Sequence, residues 1–455
     1  MDNLRFYNRE KEIGVLERAV AQKGSAMVVI SGRRRVGKSR LADEFLRKKG
    51  FGLKVVIVPK EERQVATDLA AAFSNGFKPS FSTVKEAFEY FFAKSTERLL
   101  YIDEFSNFLE VNPSIPFELQ RLWDTYKDRT DKVLILSGSY ASMMDKIFTR
   151  QKAPLFNRAS FKIILEPLNP SVIWAMQEDL GVKNAAEKIT NYCVYGGIPY
   201  YYEVIEKFGR PLAGLEELFF GVGQLREEGQ NILRQEFGAA YKKYFSILEA
   251  IGAGLVSGGE IASKIGLQQT TLSKYMQSLQ NDYKLIERIV PFGQNPNRSK
   301  KGAYAIKDNM LAFWFKHVYG KRTPPAKDEL GAFVGRRFEL LCAEFLAGLL
   351  QERGEKIVRA GRWWGQLEVE KGVFEQREID LVIETEKHVY AGECKWSNGK
   401  MGSKELERLK GSAKALKTKK PLKFALFSKA GFLIKENEEV LLFDPASITS
   451  HKSKA

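Results

Sequence analysis

The sequence predicts a multidomain α/β protein, and three observations carry that prediction. Four short apolar runs, at 27–31, 54–58, 99–102 and 132–136, alternate with amphipathic helical patterns. Continuous runs of that length are how strands buried on both faces of a parallel sheet read. A second region, from about residue 328, starts with an amphipathic helix and continues as strands, a Lys-rich helix and more strands. The chain has 455 residues, enough for about three domains at roughly 150 residues each.

The elements follow in order. Residues 1–165 form the first α/β unit. Residues 166–235 read as helical, broken by the turn Tyr195-Gly196-Gly197-Ile198-Pro199. Residues 236–322 form a small helical segment that ends in a basic stretch. Thr323-Pro324-Pro325 is a linker, and 328–455 is the last domain.

Composition bounds the function classes. Apolar residues make up 44% and charged residues 28%, which excludes a disordered or collagen-like chain. Lys and Arg total 72 against 56 Asp and Glu, a net charge of +16. That excess points to a polyanion partner, nucleic acid first and an anionic membrane second. Cys193, Cys342 and Cys394 lie far apart, which suits a reducing cytosol rather than a disulfide framework. His317, His388 and His451 are scattered, so no structural zinc is expected. Residues 1–12 lack an apolar signal core, and no run of about 18 apolar residues occurs. A cytoplasmic protein with no membrane partner is expected.

The strongest motif is Gly32-Arg33-Arg34-Arg35-Val36-Gly37-Lys38-Ser39, which fits G-x-x-x-x-G-K-[ST] between a strand and a helix. The two glycines let the backbone turn its N–H groups toward phosphates. Lys38 reaches the β- and γ-phosphates, and Ser39 offers a hydroxyl to Mg²⁺. The apolar run at 99–102 ends in Asp103 and Glu104. Asp103 is expected to hold Mg²⁺, and Glu104 to orient or deprotonate the attacking water. The 54–58 strand lies between the two motifs. That insertion suits the NTPase branch in which a strand separates the phosphate-loop and Mg²⁺ strands. Ser137 and Ser139 either sense the γ-phosphate or form a turn around Gly138. Arg158 is either an arginine finger or a surface arginine. The three loop arginines cannot all face a nucleotide, which leaves some for a neighbouring domain or another polyanion.

Phe6-Tyr7-Asn8-Arg9-Glu10, the Gly32–Ser39 loop, Tyr101-Ile102-Asp103-Glu104-Phe105 and the Tyr195–Tyr201 stretch together resemble archaeal-type AAA ATPases. These belong to the MNS clade of STAND-like P-loop NTPases. The resemblance implies an ASCE/AAA P-loop core with a helical lid that binds ATP and Mg²⁺. It also implies an N-terminal segment near the adenine, with Arg9 and Glu10 as candidate contacts.

In the middle segment a helix over 244–252 precedes a capped helix opening at Ser257. A turn at Gly266-Leu267 leads to a third helix over 270–281. This order resembles a winged helix-turn-helix. Gln268, Gln269, Thr270, Ser273, Lys274 and Gln277 would face outward. The wing would run over 286–306 with Arg298, Lys300 and Lys301. DNA contact and interdomain packing are both open readings of this segment.

In the last domain, Asp380, Glu393 and Lys395 fit the D…E-x-K pattern. Glu393 and Lys395, two apart on a strand, share one face. Two carboxylates can bind Mg²⁺ or Mn²⁺, and the lysine can stabilise charge on a phosphate. Glu339 in the preceding helix resembles the acid that completes such sites. With Gly361-Arg362-Trp363-Trp364 and the segment 427–432, the ensemble resembles the DUF234 domain. That resemblance implies a restriction-endonuclease-like, PD-(D/E)xK fold. Residues 401–455 hold 12 Lys and Arg against 6 Asp and Glu, so this region is basic as well.

Two expectations follow. One is an ATP-hydrolysing, DNA-binding protein with a metal-dependent nuclease module, compatible with a homo-oligomer. The other is a regulatory ATPase switch whose C-terminal fold only binds nucleic acid or protein.

Overall fold

The computed structural model describes residues 6–73, 79–138, 141–208, 214–221, 223–295, 298–299 and 301–451. Ser139 and Lys300, both singled out in the sequence, lie outside the described residues. The chain divides into two compact units, one of 1–168 with 198–200 and one of 169–197 with 201–455.

The first unit is built on five parallel strands: β1 Ala26–Gly32, β2 Leu53–Val56, β3 Leu99–Asp103, β4 Val133–Gly138 and β5 Phe161–Leu165. Their order across the sheet is β2-β3-β4-β1-β5. Strand burial follows position. Every residue of β3 and β4 is buried, whereas β2 and β5 alternate buried with exposed residues. An edge strand has one neighbour, so alternation is what its place requires.

This order corrects one expectation. The strand between the phosphate loop and Asp103 in sequence is not the one between them in space. β4 pairs with both β1 and β3 and so separates them, while β2 pairs with β3 at the sheet edge. Lys54 and Val56 are exposed there, a pattern that suits an edge, and the strand ends at Val56 rather than 58. β5, which the sequence reading did not assign, pairs with β1 on its other side.

Helix α1, Glu10–Ala21, buries Ile13, Leu16, Ala19 and Val20. Helix α2, Lys38–Lys49, follows the loop directly. It begins at Gly37 and stops at Gly50, which takes the left-handed conformation that glycine tolerates best. A core of Leu100, Ile102, Leu134 and Leu136 packs against Phe88, Phe92, Phe105 and Trp123.

The second unit opens with helices, including Pro170–Asp179, Ala185–Tyr195 and Glu228–Phe237. Three further helices follow: α3 Tyr241–Gly252, α4 Gly258–Ile265 and α5 Gln269–Asn281. The capping box expected at Ser257 is present. Its hydroxyl accepts from Glu260 N, and Glu260 returns a bond to Ser257 N. An antiparallel hairpin, β6 Ile286–Ile289 and β7 Ala303–Ile306, closes this segment.

A 26-residue helix, α6 Lys327–Glu352, leads into the second sheet. Its strands are β8 Ile357–Glu370, β9 Val373–Thr385, β10 Val389–Lys395, β11 Leu422–Ser428 and β12 Val440–Phe443, ordered β12-β11-β10-β9-β8. β8, β9 and β10 are antiparallel neighbours, whereas β10, β11 and β12 run parallel. Helix α7, Ser403–Ala413, makes the crossover from β10 to β11 that parallel pairing requires. Ile379, Val382, Ala391, Leu409 and Leu426 form the core between helix and sheet. On α6, buried Arg337 donates to the carbonyl oxygens of Ile306 and Lys307, both at 3.0 Å.

Candidate functional site

The loop at the C-terminal end of β1 is shaped by its glycines. A Cβ on Gly32 would lie 2.5 Å from the Leu165 carbonyl oxygen, so only glycine lets β1 and β5 meet there. Gly37 takes φ +99° and turns the chain into α2. No acidic residue occupies the first turn of α2, so its N-terminal N–H groups keep their partial positive charge for an anion.

Lys38 is buried, and its Nζ donates to the loop carbonyl oxygens of Gly32 (3.0 Å) and Arg33 (2.9 Å). Ser39, one residue on, is exposed, and Val36 is fully buried. Arg33, Arg34 and Arg35 are half-buried. Arg35 is left-handed at φ +69° and lays its guanidinium 3.8 Å over the Tyr200 ring. One loop arginine is therefore taken by an aromatic partner.

Asp103 is buried at the end of β3. Its Oδ1 accepts from Ser137 Oγ at 2.5 Å and from Glu104 N at 3.0 Å. Ser137 also lies 2.9 Å from the Tyr101 hydroxyl. Burial, and then Asp103, push the Tyr101 phenol well above its ordinary pKa, so it stays protonated. Glu104 turns away from the strand in a left-handed conformation, φ +52°, and is half-buried. Ser39 and Asp103 both offer hard oxygen donors, the kind that suits Mg²⁺.

Arg9 and Arg158 are held by the protein itself. Arg9 is buried and donates to Glu166 O (2.8 Å), Val36 O (3.4 Å) and Glu12 (3.1 Å). It thus braces the loop against the end of β5. Its neighbour Glu10 is exposed. Arg158 bonds the Asp124 carboxylate at 2.7 and 3.0 Å and the carbonyl oxygens of Phe156 and Pro154.

The second sheet gathers a different cluster. Asp380 on β9 accepts from Cys394 N at 2.8 Å, and burial raises its pKa. Glu339 on α6 is pushed up to about 8, first by burial and then by Asp380. Glu393 on β10 is pushed up to about 7 by the same two causes. These three carboxyls therefore feel one another. Arg362 lies 3.5 Å from both Glu339 and Glu378. Among the described residues, however, no group of three or more His, Cys, Asp or Glu side chains is disposed to hold a metal ion.

Lys395 donates to Glu405 on α7 at 2.9 Å. Gly402 N and then Lys395 pull the Glu405 carboxyl down to about 2. The sequence reading missed Tyr101, Arg362 in its pairing role, and Glu405. Tyr101 had a signal, because residues two apart on a strand share a face with Asp103. Glu405 had none, since only the crossover places it beside Lys395.

Gln268 at the N-cap of α5 and Gln269, Thr270, Ser273, Lys274 and Gln277 on the helix are all exposed, while Leu272, Met276 and Leu279 are buried. Arg298 and Lys301 are also exposed. The strand-like stretch after β6 is anchored differently. Phe292 N donates to Arg362 O at 2.7 Å, and Arg359 stacks 4.4 Å over the Phe292 ring.

The parallel sheet, the glycine-shaped loop after β1 and the acids after β3 define a P-loop ATPase. More particularly, residues 6–205 match the family model of an ATPase domain predominantly from Archaea. Residues 316–409 match DUF234, archaeal and bacterial proteins of unknown function. The chain thus joins an archaeal-type ATPase domain to a DUF234 segment. It is similar to an uncharacterized protein of Methanocaldococcus jannaschii, 28% identical over 418 residues, covering 86% of this chain and 88% of the relative. Among solved structures, a Walker-type ATPase of Pyrococcus abyssi matches with a TM-score of 0.50 and 19% identity, covering 68% of this chain and 96% of that one. That likeness is one of fold. The ORC2 protein of Aeropyrum pernix matches at a TM-score of 0.47 and 12% identity, over 74% of this chain and 97% of that one. No helix among the described residues is long and apolar enough to cross a membrane.

Proposed function

We propose that the chain couples ATP hydrolysis in its first unit to DNA binding by the segment 236–322. In the ATP site, the backbone N–H groups of Gly32 to Ser39 cradle the phosphates, and Lys38 neutralises the β- and γ-phosphates. Ser39 and Asp103 would hold Mg²⁺, which when bound neutralises charge on the phosphate oxygens. Glu104 orients or deprotonates the attacking water, and Ser137 senses the γ-phosphate. Arg9 supports the loop by bracing Val36. Arg158 would serve as an arginine finger only after leaving Asp124.

The observation that carries the ATP reading is the Ser137–Asp103 bond, since it joins the expected sensor to the expected metal ligand. DNA binding is supported by the exposed polar face of α5. Polar helix residues that make no core contact suit phosphate and base edges in a winged helix-turn-helix.

For the C-terminal domain the proposal is a metal-dependent nuclease of the PD-(D/E)xK kind. Asp380 and Glu393 would hold Mg²⁺ or Mn²⁺, Glu339 would complete the acidic site, and Lys395 would stabilise charge on the scissile phosphate. The raised pKa values of the carboxyls, set first by burial and then by neighbouring carboxyls, support it, because a bound cation would favour their charged forms. A second reading, that this domain only binds nucleic acid or protein, is favoured by the Lys395–Glu405 pair, which engages the lysine. Incubating DNA with the full chain and Mn²⁺ separates the two. Cleavage that Asp380→Ala abolishes supports the nuclease. Equal background cleavage by both proteins sinks it and leaves the binding role. Lys274→Glu should weaken DNA retention in a gel-shift assay, and unchanged retention would remove α5 from the DNA interface.

A further inference from the structure

We propose that the β8–β9 hairpin is an arm that docks on a second copy of this chain, at a basic patch around Leu433.

β9 pairs with β10 only from Leu381 to Glu384. The ladder of Trp363–Glu370 with Val373–Ile379 therefore runs past the sheet with no third strand beside β9. On the β8 side, the bridge found among the described residues joins Arg362 to Pro291, before the arm begins. A two-stranded ribbon is marginal in water by itself. This one also leaves Val373 48% and Phe374 61% exposed near its end. Phe374 stands opposite Glu368, so the ring and the carboxylate share one face.

Charge selects the occupant. Residues 366–378 hold Glu368, Glu370, Glu375 and Glu378 against Lys371 and Arg377, 2 − 4 or −2, in a chain of net +16. Such an arm repels nucleic acid. A basic surface with an apolar centre fits it, and the same domain carries one. Leu433 is 73% exposed. Its N–H donates to Met401 O at 2.8 Å, which sets it beside Lys400 and the start of α7. Lys400, Lys404 and Lys435 are exposed there and, among the described residues, pair with no carboxylate. Of the acids nearby in sequence, Glu405 is engaged by Lys395 and Glu407 by Lys410, which leaves Glu436 against the three lysines.

Arm and patch lie at the same end of the sheet. Leu381 faces Gly392, so residues before Asp380 and residues after Lys395 both run beyond that end. Phe374 and Leu433 are each exposed, so one chain does not make the contact by itself. Two copies related by a two-fold axis can each lay an arm on the other's patch, which closes the assembly at a dimer. Phe374 then covers Leu433, and Glu368 and Glu370 face the lysines.

The test is sedimentation equilibrium of the full chain at about 50 µM, above the micromolar Kd of a weak interface. The wild type should be a dimer. Phe374→Asp should raise the Kd at least about tenfold, the loss of one aromatic anchor. One variant reverses the arm, Glu368→Lys with Glu370→Lys. Another reverses the patch, Lys400→Glu with Lys435→Glu. Each alone should be monomeric, and an equal mixture should form dimers, because both arm–patch contacts are then complementary. A monomeric wild type would overturn the proposal, and weaker DNA retention by Phe374→Asp would then make nucleic acid the occupant. A wild-type Kd in Phe374→Asp would overturn it by placing the dimer contact elsewhere. A mixture that stays monomeric, with each variant melting at the wild-type temperature, would overturn the pairing of arm with patch.

Discussion

The guanidinium of Arg35 lies 3.8 Å over the ring of Tyr200. Arg35 holds a left-handed backbone at φ +69°, which is uncommon for a residue with a side chain. The stack therefore helps hold the phosphate loop in its turn. Tyr200→Ala should destabilise the first unit by about 0.5–1 kcal/mol, the value of an exposed cation–π contact. Tyr200→Phe should keep most of it. Urea unfolding followed by near-ultraviolet circular dichroism checks both, and equal losses in the two variants would refute the stacking account.

Gly32 offers a sharper steric prediction. A Cβ there would sit 2.5 Å from the Leu165 carbonyl oxygen, where the neighbour is backbone and cannot swing aside. Gly32→Ala should cost about 1–3 kcal/mol, as overpacking does. It should also weaken nucleotide binding, because β1 and β5 must part. A denaturant midpoint equal to the wild type's would show that the two strands have room to spare.

The C-terminal carboxyls predict a pH dependence. Glu339 and Glu393 have folded pKa values of about 8 and about 7, above the ordinary carboxyl value. Between that ordinary value and about 8 the folded chain binds more protons than the unfolded chain. Stability of this domain should therefore fall as pH rises through that window. Glu339→Gln should remove part of the fall. If the cluster takes up a divalent cation, Mn²⁺ at pH 8 should raise the melting temperature by on the order of 2–4 °C. Calorimetric scans at pH 5 and pH 8 read each effect, and a domain more stable at pH 8 without metal would contradict the assignment.

Arg337 ties α6 to the end of β7 through two carbonyl oxygens. Burial lowers its pKa, yet a guanidinium stays charged, so its hydrogen bonds must offset the desolvation. Arg337→Met would leave two carbonyls without that donor, at about 2–4 kcal/mol. Unfolding of the variant should begin at a lower denaturant concentration than in the wild type.

Legibility in the sequence followed the physics of each element. β1, β3 and β4 were legible because buried central strands read as unbroken apolar runs. The spatial order was not, since sequence adjacency says nothing about which strand pairs with which. That is why β2 was expected between the motif strands and lies at the edge instead. The exposed residues of α5 were legible from helical spacing, with Leu272, Met276 and Leu279 marking the buried side. The roles of Arg9 and Arg158 were not, because their partners Glu166 and Asp124 are 157 and 34 residues away. The Lys395–Glu405 pair depends on the crossover through α7, which no residue spacing encodes.

The central claim is that the loop from Gly32 to Ser39 binds and turns over ATP, with Lys38 supplying the charge on the phosphates. The most direct measurement is phosphate release from ATP with Mg²⁺ by the wild type and by Lys38→Ala at equal concentration. The account predicts turnover in the wild type and a loss of at least about a hundredfold in the variant, the scale of one electrostatic contact to developing charge. Release at the wild-type rate by Lys38→Ala would contradict it.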